Sequence, residues 1–481
     1  MNTTESIWSR NCQISERDSL NQDTETEIAV IGAGMAGILT AYALQAAGHQ
    51  VIVLEAERIA SGQTRNTTAK ITSQHAMIYQ KLIRTLGEDK ARQYASANEA
   101  AIREYRRLID AEGIDCDFTS CNAYVYGDNI RQLQDEAEAA IRLGLPAEFT
   151  DDTPLPFPVG GAVRFTGQAA FHPLKFLKAL ADRLTIYEHT SVSTVEDHVL
   201  TTQRGMIRAE KIIFACHYPF INFPGMYFAR MHQERSYVVA LKNAGQIEGM
   251  WIGGEKGGYS FRNYGDLLLL GGEGHRTGES GVGGRYETLR QKAKEWFPDS
   301  RETACWSAQD CITPDQVPYI GRYASGQPDW YVATGFQKWG MTSSMVSAML
   351  IRDMICGNEN PNAEVFDPGR FEVSSIPKVA AEGGHAVKGL TKRLFEIPSD
   401  QAAQIPYGHA GIVSLNGEKA GVYKEEDGTV HAVDIQCPHL GCQLEWNPDE
   451  RSWDCPCHGS RFDYLGHLIS GPAQEEITPE A

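Results

Sequence analysis

The opening stretch, Met1 to Asn21, is polar, and the first unbroken apolar run follows Glu27 as Ile28-Ala-Val-Ile31. A run this short and this apolar predicts a parallel strand buried on both faces. A glycine-rich turn, Gly32-Ala-Gly34-Met-Ala-Gly37, comes next, then the helix-favouring segment 38–47, which Gly48 stops. Val51-Ile-Val-Leu54 predicts a second strand ending at Glu55. Further along, apolar residues at helical spacing predict amphipathic helices over 89–113 and 132–144. Arg235-Ser-Tyr-Val-Val-Ala240 and Asp266-Leu-Leu-Leu-Leu270 predict strands of an antiparallel sheet. Between Asp367 and Pro406 the texture loosens, with Pro368, Pro377 and Gly383-Gly384 and few large apolar residues before Leu394-Phe395, as in a linker. From about Gly408 short alternating strands appear, with Glu426-Asp-Gly428 as a hairpin signal. The pattern divides the chain into an N-terminal extension (1–26), an α/β domain with an interleaved antiparallel sheet (27–366), a linker (367–400) and a small all-β domain (401–481).

At 481 residues there is room for two or three domains. No apolar run approaches the roughly 20 residues that span a bilayer, and the polar start lacks the apolar core of a signal peptide. No membrane span and a cytoplasmic location are therefore expected. The net charge of −18 argues against a nucleic-acid partner. Residues 401–481 carry 13 acidic residues against 4 basic ones, which suits either solubility or docking of a basic redox partner. Of 11 cysteines, four cluster near the C-terminal end; the scattered Cys12, Cys116, Cys121, Cys216, Cys305, Cys311 and Cys356 are expected to be buried thiols rather than a disulfide framework.

Candidate chemistry sits at both ends. In the 32–37 turn the first glycine permits a tight bend. The second lets backbone approach a pyrophosphate, and the third lets helix and strand close up. The helix N-terminus, with Ala36 in its first turn, favours phosphates, and Glu55 can accept hydrogen bonds from ribose hydroxyls. Gly32, Gly34, Ala36, Gly37 and Glu55 are thus candidate dinucleotide contacts. At the other end Cys437-Pro-His439 and Cys455-Pro-Cys-His458 offer two thiolates and two imidazoles, the ligand set of a Rieske [2Fe–2S] centre. A zinc site is the alternative, although C-x-H followed by C-x-x-H is not a common zinc spacing.

The C-terminal motifs resemble the Rieske family. That resemblance implies Cys437, His439, Cys455 and His458 as cluster ligands, a disulfide between Cys442 and Cys457, and the Ser460 hydroxyl on a bridging sulfide. Phe462 stands where high-potential relatives carry Tyr, which implies a potential below the top of the range of about −150 to +300 mV. From about Ile28 to Phe371 the chain resembles the D-amino-acid oxidase-like superfamily of FAD oxidoreductases. The residues that carry the likeness are the glycine turn, Ser61-Gly-Gln-Thr-Arg65-Asn-Thr67-Thr68-Ala69-Lys70, Phe171-His172-Pro173, the strand segments 192–195 and 211–215, Thr313-Pro-Asp315-Gln-Val-Pro318-Tyr-Ile-Gly321, and Gly335-Phe-Gln-Lys-Trp-Gly340-Met341-Thr342. The fold so implied is a Rossmann-like α/β FAD-binding domain of the glutathione-reductase type, with an antiparallel-sheet substrate domain and a small all-β Rieske domain. Thr67, Thr68, Ala69, Val195, Gly335, Gly340, Met341 and Thr342 join the candidate FAD contacts. Some relatives tether FAD through a cysteine, but Cys305 and Cys311 miss the aligned position at Ala308 or Gln309, so noncovalent FAD is expected.

Arg65, Arg235, Tyr259 and Arg262 are candidate substrate contacts, with Arg65, Tyr259 and Arg262 the leading ones. The family's chemistry implies hydride transfer from the carbon beside an unprotonated amine, giving an imine that water hydrolyses. With a cluster on the same chain, electrons would enter in pairs from a small amine or amino acid and leave singly to an external one-electron acceptor. The linker would keep the two centres at high effective concentration. One alternative is an NAD(P)H-fed reductase, which would need a second dinucleotide motif; the nearest, 267–274, lacks the helix. A Rieske oxygenase would need mononuclear iron ligands after His458, where only His467 remains among the histidines. A non-enzymatic electron-transfer protein is the third alternative.

Overall fold

The computed structural model describes residues 4–255, 257–370, 404–415 and 418–478. Beyond Arg370, the expected linker lies outside the described residues. The run after Glu27 forms the strand Thr24–Ile31 at the heart of a mixed sheet. The order across it is Tyr319–Ala324, Gln327–Thr334, Gly205–Phe214, Thr24–Ile31, Val51–Leu54, Thr185–Tyr187. All neighbours pair in parallel except the first two strands, and the antiparallel hairpin Val192–Glu196 with Val199–Thr202 joins at Gly205–Phe214. Ile28, Ala29 and Val30 are fully buried, which is why the strand carries no polar alternation. The helix Met35–Ala46 packs beside Gly340–Ile355. A side chain at Gly37 would place its Cβ 1.8 Å from the Gly32 carbonyl oxygen, so only glycine allows helix and turn to meet this closely. Gly37→Ala is expected to cost about 1–3 kcal/mol by overpacking and to lower flavin occupancy after FAD reconstitution, read as the ratio of flavin to protein absorbance.

A second sheet runs Arg301–Ile312, His232–Lys242, Leu267–Arg276, Ser260–Tyr264, Met250–Gly253, Thr119–Gly127, Gly161–Ala170, Lys70–Ile71. The strands expected around 235–240 and 266–270 are antiparallel neighbours, with Val239 opposite Leu270. The two amphipathic patterns form the helices Glu88–Glu112, ended by Gly113 in the left-handed region, and Ile130–Arg142, capped by the Asn129 side chain accepting from the Gln132 N–H.

The C-terminal part forms two small antiparallel sheets. One is His409–Leu415, Glu418–Lys424 and Val430–Asp434, with the expected turn at Asp427-Gly428. The other is Glu445–Asn447, Ser452–Asp454, Arg461–Asp463 and Leu468–Ser470. Its core gathers Ile435, Leu444, Trp453 and Phe462 around the cysteines. The N-terminal extension is part of the fold: Trp8, on the short helix Ile7–Asn11, is fully buried, and the Leu20 N–H donates to Thr190 Oγ1. Among the described residues no helix is long and apolar enough to cross a membrane.

Candidate functional site

A cavity of about 1500 Å³ opens at the C-terminal ends of Thr24–Ile31 and Val51–Leu54 and continues beneath the second sheet. Pockets for drug-sized ligands hold roughly 300–1,000 Å³, so a larger occupant fits. Gly32, Gly34, Ala36, Glu55, Thr67, Thr68, Gly340 and Met341 line it. Gly37, Ala69, Val195, Gly335 and Thr342 stand behind that wall. Val195 points into the core, and the lining at this point comes instead from Thr190, Ser191 and Val192. Thr342 Oγ1 donates to the Thr72 carbonyl at 3.0 Å. The Glu55 carboxylate accepts from the Ala33 N–H at 2.7 Å and the Glu57 N–H at 3.0 Å, and burial raises its pKa. One feature marks the cavity as built for a polar ligand: the buried Nε2 of His217, a lining residue, has no hydrogen-bond partner among the described residues, whereas the Met35 N–H that opens the helix Met35–Ala46 already donates to Thr64 Oγ1 at 2.9 Å.

The loop 61–70 is fixed from three sides. Trp8 Nε1–H donates to the Thr67 carbonyl at 2.7 Å, and Trp306 Nε1–H donates to the Asn66 carbonyl at 2.9 Å. Arg262 donates to the carbonyls of Thr68, Ala69 and Phe171. Arg262 therefore holds the loop's backbone, and it does not line the cavity. Tyr259 donates to Glu273 at 3.1 Å, and Arg235 turns away toward the C-terminal module. Of the four candidate substrate contacts only Arg65 is among the described lining residues.

Other charged side chains occupy the place those candidates were expected to fill. Lys70, donating to the Trp251 carbonyl at 3.1 Å, has its pKa lowered to about 7 by burial, with the Arg262 charge adding to the effect. Asp310 is pushed up to about 7 by burial; Lys338 opposes this and Glu234 adds to it. Both line the cavity, as do Glu234 and Lys338. The sequence carries one signal for Asp310: it is an acid set between the apolar Ala308 and Ile312 in the second half of the strand Arg301–Ile312, unlike Glu302 near the strand's start. Nothing in the sequence marks Lys70 beyond its place in the loop 61–70. Cys305 and Cys311 do not line the cavity; Cys311 is buried against the His217 carbonyl.

In the C-terminal module, His439 and His458 bring their Nδ1 atoms to 3.2 Å of one another, a separation suited to two imidazoles on one metal ion. Burial lowers His439 to about 4, so it presents a neutral, ligating nitrogen. Cys437 and Cys455 are both buried and hydrogen-bond to each other, which holds the Cys455 pKa down and pushes Cys437 up. Cys442 and Cys457 form the disulfide implied by resemblance. The Cys455 sulfur also lies within 4.8 Å of both disulfide sulfurs, but those two are bonded and offer no thiolate. Ser460 Oγ lies beside Cys437 and accepts from the Ala473 N–H at 2.9 Å. Two thiols and two imidazoles on adjacent loops fit a [2Fe–2S] cluster with mixed ligation.

The module's loops press against the second sheet. On the strand His232–Lys242, Glu234 and Ser236 line the cavity, while Gln233 and Arg235 reach to the module. Gln233 Nε2 donates to the His458 carbonyl at 2.6 Å, and Gln309 Nε2 donates to the Gly459 carbonyl at 2.8 Å. His439 Nε2 meets Asn222 Oδ1 at 2.8 Å. Glu450 is held between Arg235 and Arg461, with Ser307 and Tyr286 donating to it. The Asp449 carboxylate accepts from the N–H groups of Gly284 and Arg285, supplying the helix Arg285–Trp296 with the acidic cap that its own Gly284 lacks. Residues 468–474 of the module complete the cavity wall.

Comparison with known proteins agrees with both halves. Residues 27–354 match the FAD dependent oxidoreductase family, DAO, and residues 396–479 match the Rieske [2Fe-2S] domain. The Rieske 2Fe-2S iron-sulfur protein YhfW of Bacillus subtilis (strain 168) is 38% identical, over 98% of this chain and 96% of its own length. Among solved structures, L-proline dehydrogenase from P. horikoshii aligns with a TM-score of 0.61 at 18% identity, covering 73% of this chain and 98% of that one. Glycine oxidase from Geobacillus kaustophilus aligns with a TM-score of 0.61 at 17% identity, covering 72% and 99%. The Rieske match decides between cluster and zinc in favour of the cluster.

Proposed function

Because this chain belongs to the DAO family of FAD-dependent oxidoreductases and carries a Rieske [2Fe–2S] domain after it, we propose that it oxidises a C–N bond of a small amine or amino acid and delivers the electrons singly to an external acceptor. The observation that carries this reading is the contact of the cluster loops with the sheet that walls the cofactor cavity, through Gln233 and Gln309. Bound FAD supplies two-electron chemistry and the cluster one-electron chemistry. In this reading Gly32, Gly34, Ala36 and Glu55 hold the dinucleotide noncovalently and the clamped loop 61–70 positions its ring, while Cys437, Cys455, His439 and His458 hold the cluster. Arg65, Lys70 and Asp310 face the substrate. The names of the fold neighbours, a proline dehydrogenase and a glycine oxidase, support an amine or amino-acid donor.

The test is anaerobic mixing of the oxidised protein with N-methyl amines, polyamines, amino acids and NAD(P)H. Bleaching of the flavin by an amine, followed by a rhombic EPR signal from the reduced cluster, is the expected result. Bleaching by NAD(P)H alone would replace this reading with the reductase. Failure of every donor would leave an electron-transfer protein.

The cavity's charge also makes a prediction. As pH rises through about 7, Asp310 becomes ionised and Lys70 neutral, so the site becomes more negative and favours a cationic amine. Apparent affinity for an amine donor, read from the concentration dependence of flavin bleaching, should strengthen between about pH 6 and 8. Asp310→Asn should flatten much of that dependence.

A further inference from the structure

We propose that Gln233 and Gln309 are positioning residues that hold the Rieske module stationary against the flavin half, so that electrons cross between the two centres without any swing of the module. This inference rests on the relay reading above and adds how the relay is held. The two amides form one unit: Gln309 Nε2 donates to Gln233 Oε1 as well as to the Gly459 carbonyl, and Gln233 Nε2 donates to the carbonyls of His458 and Gly471. Both side chains are buried, at 1% exposure each, so breaking the contact would leave amides and carbonyls without partners. On the other side of the same strands is the cavity. The Gln309 backbone N–H donates to Gln63 Oε1, on the loop that lines it, and Gln233 lies against His217, another lining residue.

Shape says the same. A Cβ on Gly459 would fall 2.7 Å from Gln233, and one on Gly278 would fall 2.3 Å from the Pro456 nitrogen. The surfaces meet at backbone distance, which a transient encounter would not require. Beside the glutamines, Arg235 donates to Gln309 Oε1 at 3.0 Å and pairs with Glu450, and the helix cap by Asp449 ties the same module further along. A swinging module would also open the wall made by residues 468–474.

Each crossing takes one electron from reduced flavin and turns one ferric ion ferrous; the external one-electron acceptor then reoxidises the cluster, a second crossing completes oxidation of the flavin, and its protons pass to solvent. The experiment uses the full-length holoprotein and bypasses the substrate. An external deazaflavin with EDTA as sacrificial donor photoreduces the bound flavin, and cluster reduction is followed by absorbance and EPR. The wild-type transfer rate should not change when sucrose raises the viscosity several-fold. Gln233→Leu should transfer about tenfold more slowly, equivalent to about 1.4 kcal/mol of docked-state preference, should become viscosity-dependent, and should keep the cluster's midpoint potential. If that variant fails to load its cluster, Gln309→Leu and the wild-type viscosity series make the same test. A wild-type rate that falls in proportion to viscosity overturns the inference, as does wild-type transfer in both variants. A wild-type cluster that reduced flavin never reduces overturns the relay itself.

Discussion

Replacing His439 or His458 by alanine is expected to give a protein that is still yellow but has no reduced-cluster EPR signal. Loss of even an outer partner of a metal ligand costs about 10–100-fold in metal affinity, and in the proposed ligand set a direct ligand goes. The pair's Nδ1 atoms lie 3.2 Å apart, and with one imidazole gone no other histidine is bonded at that position among the described residues. Flavin binding should survive, because the cavity's nucleotide end is built by elements that neither histidine touches. An amine donor should therefore still bleach the flavin, while reduction of a one-electron acceptor falls by at least about 100-fold. The measurements are iron and sulfide content, EPR after dithionite, and the two half-reactions in separate stopped-flow experiments. A variant that keeps the rhombic signal would remove these histidines from the ligand set.

The second large effect belongs to Glu450. Glu450→Ala leaves the guanidinium groups of Arg235 and Arg461 in an interface where both are almost fully buried. Removing one partner of a buried ion pair typically costs about 3–5 kcal/mol. Despite burial, Arg235 and Arg461 hold Glu450 down at about 2. This value lies below that of the unfolded chain, so the unfolded state binds more protons in the interval between them. The contribution is complete above about pH 4.5, shrinks as pH falls through about 2, and amounts to about 3 kcal/mol. Denaturant unfolding followed by Trp446 and Trp453 fluorescence should show the loss near neutral pH and a smaller difference from wild type in acid. An unchanged midpoint at pH 7 would mean that the ion pairs contribute nothing net.

The parts of this protein that could be read from sequence are those where one local constraint dictates residue type. The glycine turn at 32–37 is one, because backbone contact excludes every side chain at Gly37. The cluster loops are another, because iron accepts few ligand types and the spacing is short. The two amphipathic helices followed from periodicity, and the strands near 235 and 266 from short apolar runs placed by the family resemblance. The substrate contacts were harder to see, since an arginine's partner is set by tertiary packing. Arg262 looked available and instead supports the flavin loop; Arg235 looked available and instead binds Glu450, 215 positions away. Asp310 looked like one acid among many, and only the face of its strand reveals that it lines the cavity. Trp8, in a segment read as a mere extension, clamps Thr67 for the same reason: a hydrogen bond across the fold leaves no mark on nearby residues.

The wall formed by residues 468–474 has a consequence for biosynthesis. The ribosome releases the nucleotide-binding turn early and this panel of the pocket long afterwards, so the nascent chain passes through a stage in which its cofactor chamber gapes. Durable retention of FAD would then wait on the folding of the C-terminal half, with or without its iron, which makes completion of one domain a checkpoint for keeping the prosthetic group of the other.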